Sequence, residues 1–201
     1  MTSLALPFLT AARARKPVEL ATYLRATTAA AHAQLEAALS IISEEPDRRR
    51  FLTVLEGFHG FHVVWEKAIR QRPEFLAFYG PRTRLPQLRR DLGALGRTAA
   101  EIDALPLCQA AAALADDPDE AVGSIYVLEG STLGGQLINR ALAGADWVPE
   151  GGLSYFSPYG RRTGEMWRGF WAWAEERDPE PELAARGAQR TFATLQAWLC
   201  A

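Results

Sequence analysis

The sequence predicts an all-α, multi-helical single domain. Apolar residues recur at three- and four-residue steps over long stretches, and no stretch alternates with the two-residue period of a strand. Helix-start and helix-stop residues punctuate those stretches. A chain of 201 residues is long enough for one domain with a sizeable core. The domain is expected over residues 18–201, behind a flexible N-terminal arm, residues 1–17, that closes with Pro17.

From Val18 the pattern turns helical, with Leu20, Tyr23, Leu24, Thr27, Ala31, Leu35 and Leu39 on the repeat, until Ser40 to Pro46 breaks it. A second helix starts after Pro46 with Asp47 at its N-terminus. It runs through Phe51, Leu55, Phe58, Phe61, His62, Trp65 and Ile69 to about Arg70. Pro73, Gly80, Pro81 and Pro86 mark turns, and a short helix is expected from Leu85 to Leu92. Thr98-Ala99-Ala100-Glu101 has the form of a capping box. The alanine-rich Leu107 to Leu114 reads as helix. Asp117-Pro118-Asp119-Glu120 is the clearest helix start, because Asp caps, Pro fits the first position and acids suit the positive end of the dipole. That helix runs to about Ala143, with Gly144 as its stop. A loop rich in Gly, Pro and aromatics follows from Asp146 to Arg162. Helix resumes at Gly164, breaks at Asp178 to Pro181, and ends with Leu183 to Leu199.

Composition excludes several function classes. A net charge of −2 implies no global attraction to nucleic acid or an anionic membrane. Basic residues cluster locally at Arg48-Arg49-Arg50 and between Arg82 and Arg97, which reads first as solvated helix surface. The two cysteines, Cys108 and Cys200, sit in no ligand-like spacing and suit a reducing cytoplasm. No run of eighteen apolar residues exists, so no membrane span is expected. The apolar start is followed, not preceded, by its basic residues, which is the wrong order for a secretory signal.

The most informative stretch is Val122 to Ile138. It reads as helix yet carries Gly123, Gly130, Gly134 and Gly135, each costing a helix about 0.8–1 kcal/mol relative to alanine. Gly123, Gly130 and Gly134 are spaced seven and four apart and share a face. That bare backbone strip suits close approach by another helix or a flat ligand, and the Gly134-Gly135 pair makes a kink plausible. His32 is the second point of interest. It stands mid-helix among Thr27, Thr28, Ala29, Ala30, Ala31 and Ala33, which leave room for a bulky planar group. Arg25 lies two turns back on the same face, about 10 Å along the axis. A lone helical histidine is also an ordinary core or surface residue. An axial imidazole with a cation two turns away suits haem, whose propionates lie at the ring edge. Glu56-x-x-His59 with His62 and Glu66 is only half of a di-iron carboxylate pattern. Ser124 and Ser131 lie in no nucleophile-elbow pattern.

Leu24-Arg25-Ala26-Thr27-Thr28-Ala29-Ala30-Ala31-His32 and Leu128-Glu129-Gly130-Ser131-Thr132-Leu133-Gly134-Gly135-Gln136 together resemble the proximal and distal helices of the haem oxygenase family. The second segment looks closest to the bacterial branch associated with bacteriophytochromes. The resemblance implies a haem-oxygenase-like fold with haem between the two helices, and oxidative cleavage of haem to biliverdin, carbon monoxide and ferrous iron. It implies O2 and electrons from an external donor such as a ferredoxin or a flavin reductase, with a bacteriophytochrome as a receiver of biliverdin. Carried over by position, His32 matches the iron ligand, and Gly130 and Gly134 match the distal glycines, with Gly135 completing their kink. Arg25 and Tyr126 match propionate-contacting residues, and Phe192 matches a pocket phenylalanine. Arg168 and Arg177 are candidates for further propionate cations. Ser131 stands where the family has an aspartate that organises water. A hydroxyl donates and accepts hydrogen bonds but supplies no negative charge. A non-catalytic haem-binding or storage protein of the same fold is the alternative.

Overall fold

In the computed structural model the described residues are 17–41, 47–142, 144–149 and 153–201. The expected N-terminal arm therefore lies outside them, except for Pro17. Among them are eight α-helices and no strand: α1 (Pro17–Leu39), α2 (Arg48–Arg70), α3 (Pro73–Tyr79), α4 (Leu85–Ala94), α5 (Ala99–Asp103), α6 (Pro118–Leu142), α7 (Thr163–Arg177) and α8 (Pro181–Leu199). Short 3-10 turns occupy Gly80–Arg82, Gln109–Ala115 and Gly160–Arg162.

Local chemistry accounts for most boundaries. Asp47 caps α2 through bonds from the Arg49 and Arg50 amides. Thr98 and Glu101 form the expected capping box at α5. Asp117 Oδ1 accepts from the Asp119 and Glu120 amides at 2.9 Å and starts α6. Asp178 adopts the left-handed conformation (φ 46°) that ends α7. Two expectations are corrected. Pro73 begins a helix rather than a turn, since a first-turn position needs no amide proton. The alanine-rich segment winds as 3-10 turns over Gln109–Ala115 rather than as α-helix.

The core is built on α2, whose Leu55, Phe61, Trp65 and Ile69 are fully buried. Each such side chain contributes about 1.5–3 kcal/mol relative to exposure. α8 is the other organising element, because both α1 and α6 pack along it. Where α6 crosses α8, a Cβ on Gly123 would overlap the Ala184 carbonyl, and a Cβ on Gly187 would overlap the Glu120 carbonyl. Two glycines thus let the backbones touch. Glu120 secures the crossing by accepting from Arg186 Nε at 2.6 Å and from Arg190. Leu20 and Leu24 of α1 form a cluster with Ala184 and Ala185 of α8, and Tyr126 of α6 packs against it. The helix that carries His32 and the glycine-bearing helix thus both pack on α8.

Candidate functional site

His32 is solvent-facing, its side chain 54% exposed, with Nε2 3.5 Å from Glu36 Oε1. Its ring stands edge-on to Phe192 of α8, with centroids 5.8 Å apart and an interplanar angle of 77°. Two residues named separately from the sequence, 160 positions apart, are therefore neighbours. The helix that carries His32 is capped at its far end. Arg50 donates from Nε to the Leu39 carbonyl (2.9 Å) and from Nη2 to the Ala38 carbonyl (2.8 Å). A guanidinium there satisfies carbonyls that the helix leaves unpaired. Arg48 likewise donates to the Leu95 carbonyl at 2.7 Å. The basic triplet is thus partly structural. Arg25 is exposed on α1.

The glycines of α6 divide into roles. Gly123 serves the α8 crossing. A Cβ on Gly130 would meet only the Trp167 ring edge, at 3.7 Å, and one on Gly134 would meet nothing within 4 Å. Gly135 lies under the Phe156 carbonyl, which a side chain there would strike, so it is a packing glycine. The helix continues unbroken through the Gly134-Gly135 pair. Leu133 and Leu137 flank the open stretch at 47% and 57% exposure. Ser131 is exposed, and its hydroxyl donates to the Leu128 carbonyl at 2.8 Å, leaving its lone pairs free to accept. Tyr126 packs among Trp167, Phe170 and Trp171. Of the two cations considered on α7, Arg168 is exposed, and Arg177 stacks on Phe75 at 4.7 Å.

Ser124 is fully buried. It accepts from Trp65 Nε1 at 2.8 Å and bonds Thr191, which rules it out as an exposed nucleophile. Glu56 pairs with Arg97, while His62 and Glu66 bond each other at 3.1 Å. The described residues contain no cluster of three or more His, Cys, Asp or Glu side chains suited to a metal.

A buried polar cluster behind the glycine stretch escaped the sequence reading. Glu129, 1% exposed, pairs with Arg82 and with Arg84 (2.8 Å) and accepts from Tyr159 OH at 2.8 Å. Arg84 also donates its backbone N–H to Glu66 Oε1 at 2.7 Å, and Glu66 accepts from Tyr79 at 3.3 Å and from Thr83. Burial alone would lower the Arg84 guanidinium, but Glu129 and the nearby tyrosines outweigh it and hold it above its usual value. Burial raises the Tyr159 phenol, so it stays a proton donor to Glu129. Burial also lowers His62 despite Glu66. Neutral His62 donates from Nδ1 to Glu66 and accepts at Nε2 from Tyr155 OH (3.1 Å). Arg82 and Tyr159, with Phe78, Pro158, Arg162 and Met166, line an open cavity of about 560 Å³. It lies on the Glu129 side of α6 and does not include the open glycines. The only sequence signal for this cluster was the run of arginines from Arg82. Nothing local showed that its partner lies 45 and 47 positions away.

The helical fold that carries His32 and the glycine stretch has a solved counterpart. The structure of heme oxygenase from Leptospira interrogans superposes with a TM-score of 0.71 at 19% identity, covering 90% of this chain and 98% of that one. A family model described as heme oxygenase matches residues 18–201, and the chain belongs to the haem oxygenase family. No curated protein matches it significantly in sequence.

The residues present fit haem. Gly134 faces open space, Gly130 meets only the Trp167 ring edge, Leu133 and Leu137 offer uncovered apolar surface beside them, and His32 has an accessible nitrogen donor.

Proposed function

We propose that this protein is a haem oxygenase that cleaves haem to biliverdin, carbon monoxide and ferrous iron, using O2 and externally supplied electrons. The observation that carries the reading is the open glycine stretch on α6 paired with an exposed imidazole on α1, within a chain of this family. When bound, haem supplies the oxygen-activating redox chemistry and is itself the substrate. His32 would hold the iron, its ring oriented by the edge contact with Phe192. The Gly130 and Gly134 backbone would lie against the distal face, and Leu133 and Leu137 would be covered. Arg25, exposed two turns before His32, and Tyr126 would meet the propionates. Ser131 would accept a hydrogen bond from distal water in place of a carboxylate, its own proton being held by Leu128. Without that negative charge, proton delivery depends on ordered water. No helix among the described residues is long and apolar enough to cross a membrane. A cytoplasmic location, a ferredoxin or flavin reductase as donor, and a bacteriophytochrome as receiver complete the proposal.

The test is an absorption time course of the protein with one equivalent of hemin, then ascorbate or a ferredoxin system under air. A Soret band that forms and then decays as a broad red biliverdin band rises is the expected result. A Soret band stable to reductant and air would reduce the protein to a haem carrier. Failure to form any Soret band would remove haem from the site.

A further inference from the structure

The Glu129 cluster is too elaborate for its contribution to stability. Buried ion pairs are often matched or exceeded by well-packed apolar residues, because desolvation offsets most of the attraction. What such a cluster supplies is a single orientation. Glu129 is the only charged residue between Gly123 and Gly135. It is gripped from three directions: Arg82 in the Gly80–Arg82 turn, Arg84 at the start of α4, and Tyr159 in the loop before α7.

Each gripping group is itself held. Arg82 Nη2 donates to the Met166 carbonyl at 3.1 Å and its guanidinium lies 4.0 Å from the Phe78 ring centroid. Arg84 stacks 4.6 Å from the Tyr159 ring centroid, and its amide is fixed by Glu66. The Tyr159 loop is tied down by Asp91, which accepts from the Ser154 and Tyr155 amides at 2.7 Å. Glu129 is adjacent to Gly130, about 100° away around the helix. Any rotation of α6 that moved Glu129 would turn Gly130 and Gly134 by the same angle. A 20° rotation shifts a Cα by about 0.8 Å, given a Cα radius of about 2.3 Å. Displacements of that order are enough to spoil reactive alignment.

We propose that Glu129, gripped by Arg82, Arg84 and Tyr159, is a positioning residue that sets the rotation of α6 and thereby which meso edge of haem the Gly130–Gly134 stretch leaves open to attack. The inference rests on the haem oxygenase reading. Glu129 acts through the helix and does not touch the haem.

The test compares wild type with Glu129→Gln and Tyr159→Phe. Haem affinity, the isomer composition of released biliverdin, and the paramagnetically shifted haem methyl resonances of the ferric cyanide complex are measured. Both variants are expected to retain the Soret band and haem affinity within severalfold. They are expected to move the haem methyl shifts and to give a second biliverdin isomer, with slower turnover, Glu129→Gln more than Tyr159→Phe. Wild-type isomer composition and methyl shifts in both variants would overturn the proposal. Tyr159→Phe keeps both ion pairs, so it decides the matter alone if Glu129→Gln does not fold. If wild type binds haem but releases no biliverdin, the oxygenase reading fails, and the methyl shifts still decide whether Glu129 sets the helix against the ring.

Discussion

His32 projects its imidazole from α1 with little around it but Glu36 and the edge of Phe192. A residue so placed contributes little to folding, and exposed substitutions of this kind stay within about 0.5 kcal/mol. His32→Ala is therefore expected to leave the thermal midpoint of the haem-free protein unchanged while abolishing the histidine-ligated ferric spectrum. Added imidazole should restore that spectrum. An unaltered spectrum in the variant would show that the iron ligand lies elsewhere. His32 stood out in the sequence because small residues surround it and Arg25 precedes it by two turns. Glu129 did not stand out as a cluster centre. Its meaning depends on Arg82, Arg84 and Tyr159, which only the folded chain brings to it.

At the level of the helix, α6 shows why four glycines occur together. The bare strip was legible from spacing, but its division was not, because what each glycine faces is a tertiary fact. Gly123 and Gly135 are pressed against backbone carbonyls, whereas Gly134 faces open space. Their alanine variants should separate cleanly in urea unfolding and turnover. Gly123→Ala forces Cβ into the Ala184 carbonyl and is expected to lose about 1–3 kcal/mol or more. Gly134→Ala meets no obstacle and is expected to gain up to about 0.8–1 kcal/mol from helix propensity, while slowing haem turnover or changing its product. A Gly134→Ala protein with unchanged turnover and product would detach this position from the ligand. The missed α3 has a plain cause as well. Pro73 punctuates the sequence, but at a first helical position proline opens a helix as readily as it closes one.

Over the whole molecule, the helical periodicity was enough to place the long helices, since each buries one stripe of its surface. The polar interior was invisible to that pattern, and it governs the response to acid. Burial holds His62 and His59 below the ordinary imidazole value of 6.5. Such groups take up protons on unfolding, so the stability they confer is complete above that value and is lost as pH falls towards the folded one. Burial would raise Glu66, but bonds from His62, Thr83 and the Arg84 amide hold it below its usual 4.5, adding a further loss at lower pH. The unfolding midpoint of the haem-free protein should therefore fall as pH drops below about 6.5, with a shallower slope in His62→Gln. A flat profile in wild type would show that neither His62 nor His59 is held below its unfolded value.

The cluster of Arg82, Arg84 and Glu129 also constrains the history of the sequence. Removing one member of a buried charge group strands the others at a cost of about 3–5 kcal/mol, a large share of the roughly 5–15 kcal/mol by which a domain is stable. Neutral drift through single steps is therefore closed at these positions. Descendant lineages either keep the set intact or exchange it as a unit for an apolar one.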